Sequence, residues 1–241
     1  MRFDILTLFP SMFEGPLTES LLKKAKEKGL FSVQINNIRD KTSDKHKTAD
    51  DSPFGGGAGM VMKAEPLIRW LEEIQTPKSR VILTAPAGTR LTQNKVKELS
   101  KEEHLIIICG HYEGVDERVK TLVDEELSIG DYVLTGGELP AMVLVDAICR
   151  YIPGVVKESD SVENDSFSDG LLEYPHYTRP DDFEGSKVPE VLLNGNHEEI
   201  RKWRRKNSLE TTLLKRPELL EGSIITSEDM RLLKAVILGE K

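Results

Sequence analysis

Cysteine is almost missing: the 241 residues hold two, Cys109 and Cys149, each inside an apolar run. Two thiols build no disulfide framework, so the expected setting is reduced, intracellular and cytoplasmic. Long apolar stretches are missing too. No run reaches the roughly 18 residues of a membrane span. The start, Met1-Arg-Phe-Asp-Ile-Leu6, lacks the apolar region of a signal peptide. No membrane association is expected. There is no excess of basic charge either. A net charge of −8 argues against a generic nucleic-acid coat protein. It leaves room for a specific RNA enzyme, because local patches outweigh the sum.

Several catalytic signatures are absent as well. His46, His104, His111, His176 and His197 are scattered, with no pair one helical turn apart, so a structural zinc is not expected. No Gly-x-Ser-x-Gly elbow is present to carry a serine triad. The glycine-rich loop Phe54-Gly-Gly-Gly-Ala-Gly59 continues Met-Val-Met, where a phosphate-binding Walker loop needs Gly-Lys-Ser/Thr. A dinucleotide loop needs glycine at position 60, where Met60 stands. What remains for this loop is a flexible surface segment, or a close approach or unusual dihedrals that only glycine permits.

The strongest positive signal is Ser128-Ile-Gly-Asp-Tyr-Val-Leu-Thr-Gly-Gly-Glu-Leu-Pro140 and the apolar segment that carries it to Tyr151. It reads as a strand, a Gly-Gly turn and a helix with one arginine. Two similar strand ends precede it, Leu83-Thr-Ala-Pro-Ala-Gly88 and Ile108-Cys-Gly-His-Tyr-Glu-Gly114. Three Gly- or Pro-rich strand ends predict one shared site at the carboxyl edge of a parallel sheet.

Strands are expected at Phe3–Phe9, Ser32–Ile38, 81–85, 105–109, 123–127 and 132–135. Helices are expected at Thr18–Lys28, Ala64–Ile74, 92–99, 114–121 and 137–151, with Thr18 as a cap and Gly29 as a stop. This alternation is an α/β pattern with a parallel sheet. Residues 157–169 are acidic, serine-rich and nearly free of aliphatic side chains, the composition of a flexible linker. Helical patterns then dominate at 188–193, 196–214 and 226–238, with Pro189 and Pro217 near helix starts. The reading is therefore an α/β domain over 1–156, a linker over 157–169 and a small helical domain over 170–241.

Individual residues keep two readings each. Glu113, at a strand end, is placed to accept hydrogen bonds from a ribose or an amino group. Asp116, Glu117 and Arg118 fit the first turn of a helix. Arg150 is either a helix-end cation or a guanidinium facing the site. Asp165 reads alone as a solvated linker residue. Arg201-Lys-Trp-Arg-Arg-Lys206 gathers five cations around one indole. It is either a solvated helix face or, through Arg204 and Arg205, a set of phosphate contacts.

Taken together, six segments resemble the bacterial tRNA (guanine-N1)-methyltransferases of the TrmD type, in the SPOUT superfamily. They are Asp51–Met60, Gly110–Arg118, Ile129–Pro140, Asp165-Ser-Phe167, Pro175-His-Tyr-Thr-Arg-Pro180 and His197-Glu-Glu-Ile-Arg-Lys-Trp203. The resemblance runs from Phe3 to about Leu220, with the motifs in order. It implies a parallel sheet with a deep trefoil knot, which ordinary topology rules disfavour. It implies a homodimer that binds S-adenosyl-L-methionine in the knot and grips tRNA across both subunits, with the helical domain as a tRNA-binding part. The expected reaction methylates N1 of guanosine 37 when base 36 is also G. By the same resemblance Pro86 and Gly88 line a first cofactor loop. Gly110, Tyr112, Glu113 and Gly114 form a second. Ile129, Gly130, Tyr132, Leu134, Gly136, Gly137 and Pro140 form a third. Arg150 and Asp165 match the catalytic pair. Glu173 stands where some relatives carry Asp. The resemblance also implies a magnesium (Mg2+) requirement, for which the sequence offers no all-protein cage.

On this reading Asp165 is the general base for the N1 proton, and Arg150 stabilises the charge on O6. Three alternatives compete. One is a related knotted enzyme acting on ribosomal RNA or a ribose 2′-hydroxyl, against which the Asp165-Ser-Phe segment and helical tail speak. Another is a non-catalytic adenosine-binding module, which leaves Arg150 and Asp165 unexplained. The third, a nicotinamide oxidoreductase, lacks its glycine fingerprint.

Overall fold

The computed structural model describes residues 1–156 and 165–239. Residues 157–164, most of the expected linker, lie outside the described residues. The chain divides into two compact units, Met1–Lys157 and Glu158–Lys241.

The first unit is built on a five-stranded sheet of β1 (Arg2–Thr7), β2 (Ser32–Asn37), β5 (Ser79–Arg90), β6 (His104–Cys109) and β7 (Glu125–Ser128). Its order is β2-β1-β6-β5-β7, and every pairing is parallel. The strands are apolar on both faces, as a sheet covered on both sides demands. Phe3, Ile5, Ile82, Leu105 and Ile107 join one core cluster, together with residues of α1 (Ser20–Glu27), α3 (Gln93–Leu99) and α4 (Glu138–Cys149). The intervening residues Leu6, Val81, Leu83, Ile106 and Ile108 join a second cluster with Leu67 and Leu71 of α2 (Ala64–Ile74). The expected α/β class with a parallel sheet is thus present.

Local chemistry explains most element ends. Gly29 (φ 69°) stops α1, with Leu30 N donating to Ala25 O and Gly29 N to Lys26 O. Thr18 does not cap α1. Its hydroxyl bonds Gly15 O, and Glu19 holds the cap position without a side-chain bond. The helix expected at 114–121 is a 3-10 helix, Glu117–Leu122, capped by Asp116, whose carboxylate accepts from Arg118 N. The strand expected at 132–135 is absent. Tyr132 and Val133 are exposed and find no sheet partner, and one bridge between His111 and Gly136 is the only pairing there. Two short hairpins escaped the sequence reading: β3 with β4 (Asp50–Asp51, Val61–Met62) and β8 with β9 (Asp182–Phe183, Ser186–Lys187).

The second unit carries α5 (His197–Lys215), α6 (Glu218–Gly222) and α7 (Ser227–Leu238). Residues 188–193, expected as a helix, hold a single 3-10 turn at Glu190–Leu192. Thr226 and Asp229 form a reciprocal capping box on α7, and Gly239 closes it in the left-handed conformation. No helix of the described residues is long and apolar enough to cross a membrane.

A polar network ties the amino halves of β1, β5 and β6 to Asn36 of β2. Asp4 is fully buried and accepts from Asn36 Nδ2 (3.0 Å), His104 Nε2 (2.7 Å) and Arg2 Nε (2.6 Å). His104 Nδ1 meets Ser79 Oγ at 2.7 Å. Removing one member of such a set leaves buried partners unmet. Asp4→Ala should therefore cost about 3–5 kcal/mol, read as a shift in the urea midpoint. Lys78→Ala, which breaks the exposed pair with Glu103, should stay within about 1 kcal/mol.

Candidate functional site

The carboxyl ends of β5, β6 and β7 open into one cavity of about 460 Å³. That volume lies in the usual range for small-molecule sites, roughly 300–1,000 Å³. Three walls bound it: one bulges out of β5 and the other two continue from β6 and β7. The first is Ala85-Pro86-Ala87, the second runs from Gly110 to Val115, and the third from Ser128 to Gly137, with Pro140 behind it. Pro86, Gly110, Tyr112, Glu113, Gly114, Ile129, Gly130, Tyr132, Leu134, Gly136, Gly137 and Pro140 all line this space. Of the cofactor-loop candidates Gly88 alone does not line it, and Arg150 is not among the lining residues either.

Gly88 has a different task. Residues 85–88 leave the ladder between β5 and β7, and the register resumes with Thr89 opposite Leu127, the same residue that pairs Thr84. A Cβ at Gly88 would lie 2.5 Å from the backbone of Glu126 and Leu127. The missing side chain lets β5 return against β7 after the first wall has bulged out.

Gly137 is the second forced glycine. Its N donates to Gly110 O at 2.7 Å, joining the second and third walls. An added Cβ would overlap Thr84 Oγ1, Gly110 N and Cys109 Cα. The walls therefore meet backbone to backbone at the mouth of the sheet. They present amide and carbonyl groups, an aromatic ring from Tyr112 and one from Tyr132. Such a lining suits a flat heterocycle with polar edges. Burial pushes the Cys109 thiol up, away from the thiolate form, so it is no nucleophile.

The loop after Asp51 bears on this site from outside. Gly55, Gly56, Gly57 and Gly59 all hold positive φ, so the glycines serve backbone shape. A Cβ at Gly59 would overlap the Glu113 side chain. Glu113 N donates to Met60 O at 3.0 Å, and Met62 N to Gly114 O at 2.9 Å. Close approach accounts for Gly59, and unusual dihedrals for the exposed Gly55, Gly56 and Gly57.

Arg150 is the C-cap residue of α4 and is half-buried. Asp165 belongs to the other unit. It lines a cavity of about 380 Å³ with Asp169, Glu173, Tyr174, His197 and Arg204 among others. Its surroundings are turns: Ser168 N donates to Asp165 O at 3.1 Å and Phe167 N to Leu171 O at 2.7 Å. Arg204 lies over the Tyr174 ring at 5.0 Å, beside Trp203.

The basic stretch of α5 requires a correction. Arg205 is not available as a phosphate contact. Its guanidinium grips Asp229 at 2.6 and 3.0 Å and also pairs Asp169, pinning α7 and the 165–169 turn to α5. Arg201 is held by Glu198 and Glu228, and Lys202 by Glu198. The sequence spacing shows the cations but not the acids that reach them from elsewhere.

Two residues that sequence reasoning passed over, Thr7 and Glu138, stand behind the cavity, which His111 lines. Glu138 is buried under the Gly-Gly turn, and Thr7 Oγ1 donates to it at 2.8 Å. The signal for Glu138 was legible as an acid directly after two glycines. Among the described residues no group of three or more His, Cys, Asp or Glu side chains could hold a metal ion.

Comparisons with known proteins agree in one direction. Residues 1–222 match the family model described as tRNA (Guanine-1)-methyltransferase TrmD. A tRNA (guanine-N(1)-)-methyltransferase of Dictyoglomus turgidum is 56% identical over 236 residues, covering 98% of this chain and 96% of the relative. That of Geobacter sp. (strain M21) is 59% identical over 239 residues, covering 98% and 96%. That of Citrifermentans bemidjiense is 60% identical over 235 residues, covering 96% and 94%.

The Arg205 pairing has a pH consequence. Hydrogen bonds from Arg205 lead in lowering the Asp229 carboxyl from 3.8 to about 2. A depressed carboxylate stabilises fully above its unfolded value and loses that contribution as pH falls through the folded one. The α5–α7 contact should thus hold above about pH 4 and weaken toward pH 2. Asp229→Asn should destabilise this unit by about 1.5–3 kcal/mol at neutral pH and flatten that acid limb. Trp203 fluorescence in a Trp70→Phe background reads both effects.

Proposed function

The chain belongs to the tRNA (guanine-N1)-methyltransferase family, and on that premise we propose how its residues divide the work of the reaction. The enzyme transfers a methyl group from S-adenosyl-L-methionine to N1 of guanine in tRNA. We take the 460 Å³ cavity as the adenosyl site. The observation that carries this is the backbone contact of Gly137 with Gly110. It builds a slot of amides and carbonyls that any side chain would fill. Pro86, Gly110, Tyr112, Glu113, Gly114, Ile129, Gly130, Tyr132, Leu134, Gly136, Gly137 and Pro140 touch the cofactor, and Gly88 shapes the first wall from behind.

N1 of guanine carries a proton and is a poor nucleophile until the proton leaves. A carboxylate in hydrogen-bond reach is a suitable general base, and Asp165 is assigned that role. Proton loss puts negative charge on O6. Arg150 is assigned to stabilise it, since a guanidinium stays charged and donates in a fixed fork. Asp165 reaches the cofactor site from the partner protomer of a homodimer on this reading. The guanine must be unstacked from its loop to be reached. The target is guanosine 37 with G at position 36. No step is assigned to protein-bound magnesium, because the described side chains offer no cage for it.

The finer fold reading is a SPOUT sheet with a deep trefoil knot. The excursion of β5 at 85–88 and the return of residues 136–137 onto His111 and Gly110 support it. Residues 1–156 would then hold the cofactor, 157–169 would link, and 170–241 would bind tRNA. A cytoplasmic location follows from the tRNA substrate. The alternatives of a ribosomal-RNA or ribose enzyme and of a silent adenosine module give way to the family assignment.

Mapping the methylated atom on transcripts with G or A at position 37 tests the substrate reading; methyl on any atom other than N1 of G37 overturns it. Asp165→Ala should abolish turnover while S-adenosyl-L-methionine binding stays near wild type, and Arg150→Ala should lower kcat by about 100-fold. Near-normal single turnover by either variant removes that residue from the mechanism. Arg204 keeps the phosphate role that Arg205 loses. Arg204→Ala should weaken tRNA binding and reduce its log–log salt slope by about 0.7–0.9.

A further inference from the structure

Glu138 is a buried acid that the reaction does not use. It is 1% exposed, at the first position of α4. A carboxylate in such a place is costly unless its oxygens are met. Oε1 is met by the Thr7 hydroxyl at 2.8 Å, and Thr7 Oγ1 in turn accepts Phe9 N at 2.9 Å. Oε2 faces His111 Nδ1 at 3.8 Å. That distance is beyond a hydrogen bond, and Nδ1 is buried without a hydrogen-bond partner.

Gly136 lies between these two groups. A Cβ there would overlap both His111 Nδ1 and Glu138 Oε2. The same glycine bridges His111 in an antiparallel pair. Phe9 packs on the His111 ring at 4.9 Å and Tyr112 stands edge-on at 4.6 Å. The second and third walls therefore share one pivot, with the end of β1 as its anchor.

We infer that Glu138 is a positioning residue for the methyl-donor cavity, holding Thr7 with one oxygen and taking the His111 ring with the other as the cavity fills. An advance of about 1 Å brings Nδ1 within hydrogen-bond range of Oε2. That movement closes the 110–114 wall onto the 136–137 wall. The hydrogen bond so formed satisfies the buried, unpartnered Nδ1. Glu138 acts through Gly136 and His111 and touches no reacting atom.

The inference rests on the cavity being the cofactor site, so the experiment separates the two. S-adenosylhomocysteine binding to the full-length enzyme is measured by calorimetry, alongside KM for each substrate. Glu138→Ala should raise the S-adenosylhomocysteine dissociation constant and the KM for S-adenosyl-L-methionine about tenfold. KM for tRNA should hold, and kcat at saturating cofactor should fall by less than KM rises. Glu138→Gln keeps an acceptor for Thr7 and should recover part of the loss. Thr7→Val should cost about threefold and His111→Ala about tenfold on the same constants. Gly137→Ala should lose binding outright. If Gly137→Ala fails to bind while Glu138→Ala binds normally, the positioning role is wrong and the site stands. If both bind normally, the site reading itself falls. A lowered melting temperature with unchanged cofactor constants assigns Glu138 to stability alone and overturns the inference. If Glu138→Ala does not fold, Thr7→Val and His111→Ala decide by the same criteria.

Discussion

The cavity depends on two backbones meeting where no side chain fits. Gly137 N reaches Gly110 O at 2.7 Å, directly above the end of β6. Any Cβ at Gly137 would overlap Thr84, Gly110 and Cys109 together. The contact fixes where α4 begins relative to the sheet. It also turns the loop before α4 back across the strand ends, which makes one site from three separate loops. A ligand held this way meets backbone dipoles whose directions the strand ends set.

The sheet divides its labour along its length. In the amino halves of β1, β5 and β6, Asp4, His104 and Ser79 hold register with polar bonds, and Asn36 of β2 joins Asp4. Sliding one strand by a residue would break several of these at once. Near the carboxyl ends the residues are small, bent or polar, and the ladder itself opens at 85–88. Stability concentrated at one end permits irregularity at the other. Glu138 and Thr7 carry a reduced version of that polar anchoring into the site, immediately behind the Gly-Gly turn.

How much of this was legible depends on how local the cause is. Helix α2 appears at Ala64–Ile74, as expected, because its apolar period and its ends lie within its own sequence. The three strand-end motifs converge, because a parallel sheet places all carboxyl ends on one edge. Residues 132–135 misled, since Val133 and Leu134 look like a strand yet serve as cavity lining or stand exposed. Thr18 misled because its hydroxyl found Gly15 first. The two-residue hairpins have no periodicity to read. Arg205 misled for a different reason: its partners Asp169 and Asp229 lie far away in sequence.

That last case changes the electrostatic account of RNA binding. A protein of net charge −8 meets a polyanion, and its most basic helix spends much of its charge on itself. Arg201, Lys202 and Arg205 are neutralised by Glu198, Glu228, Asp169 and Asp229. Counterion release scales with the cations that reach phosphate, not with those present in the sequence. Arg204 differs because its partner is the face of Tyr174, with Trp203 beside it. An aromatic platform leaves the guanidinium charge uncancelled while fixing its direction. Affinity that rests on few charges must gain its remainder from shape and from stacking on unpaired bases. An enzyme of that kind discriminates among RNAs by shape as well as by charge.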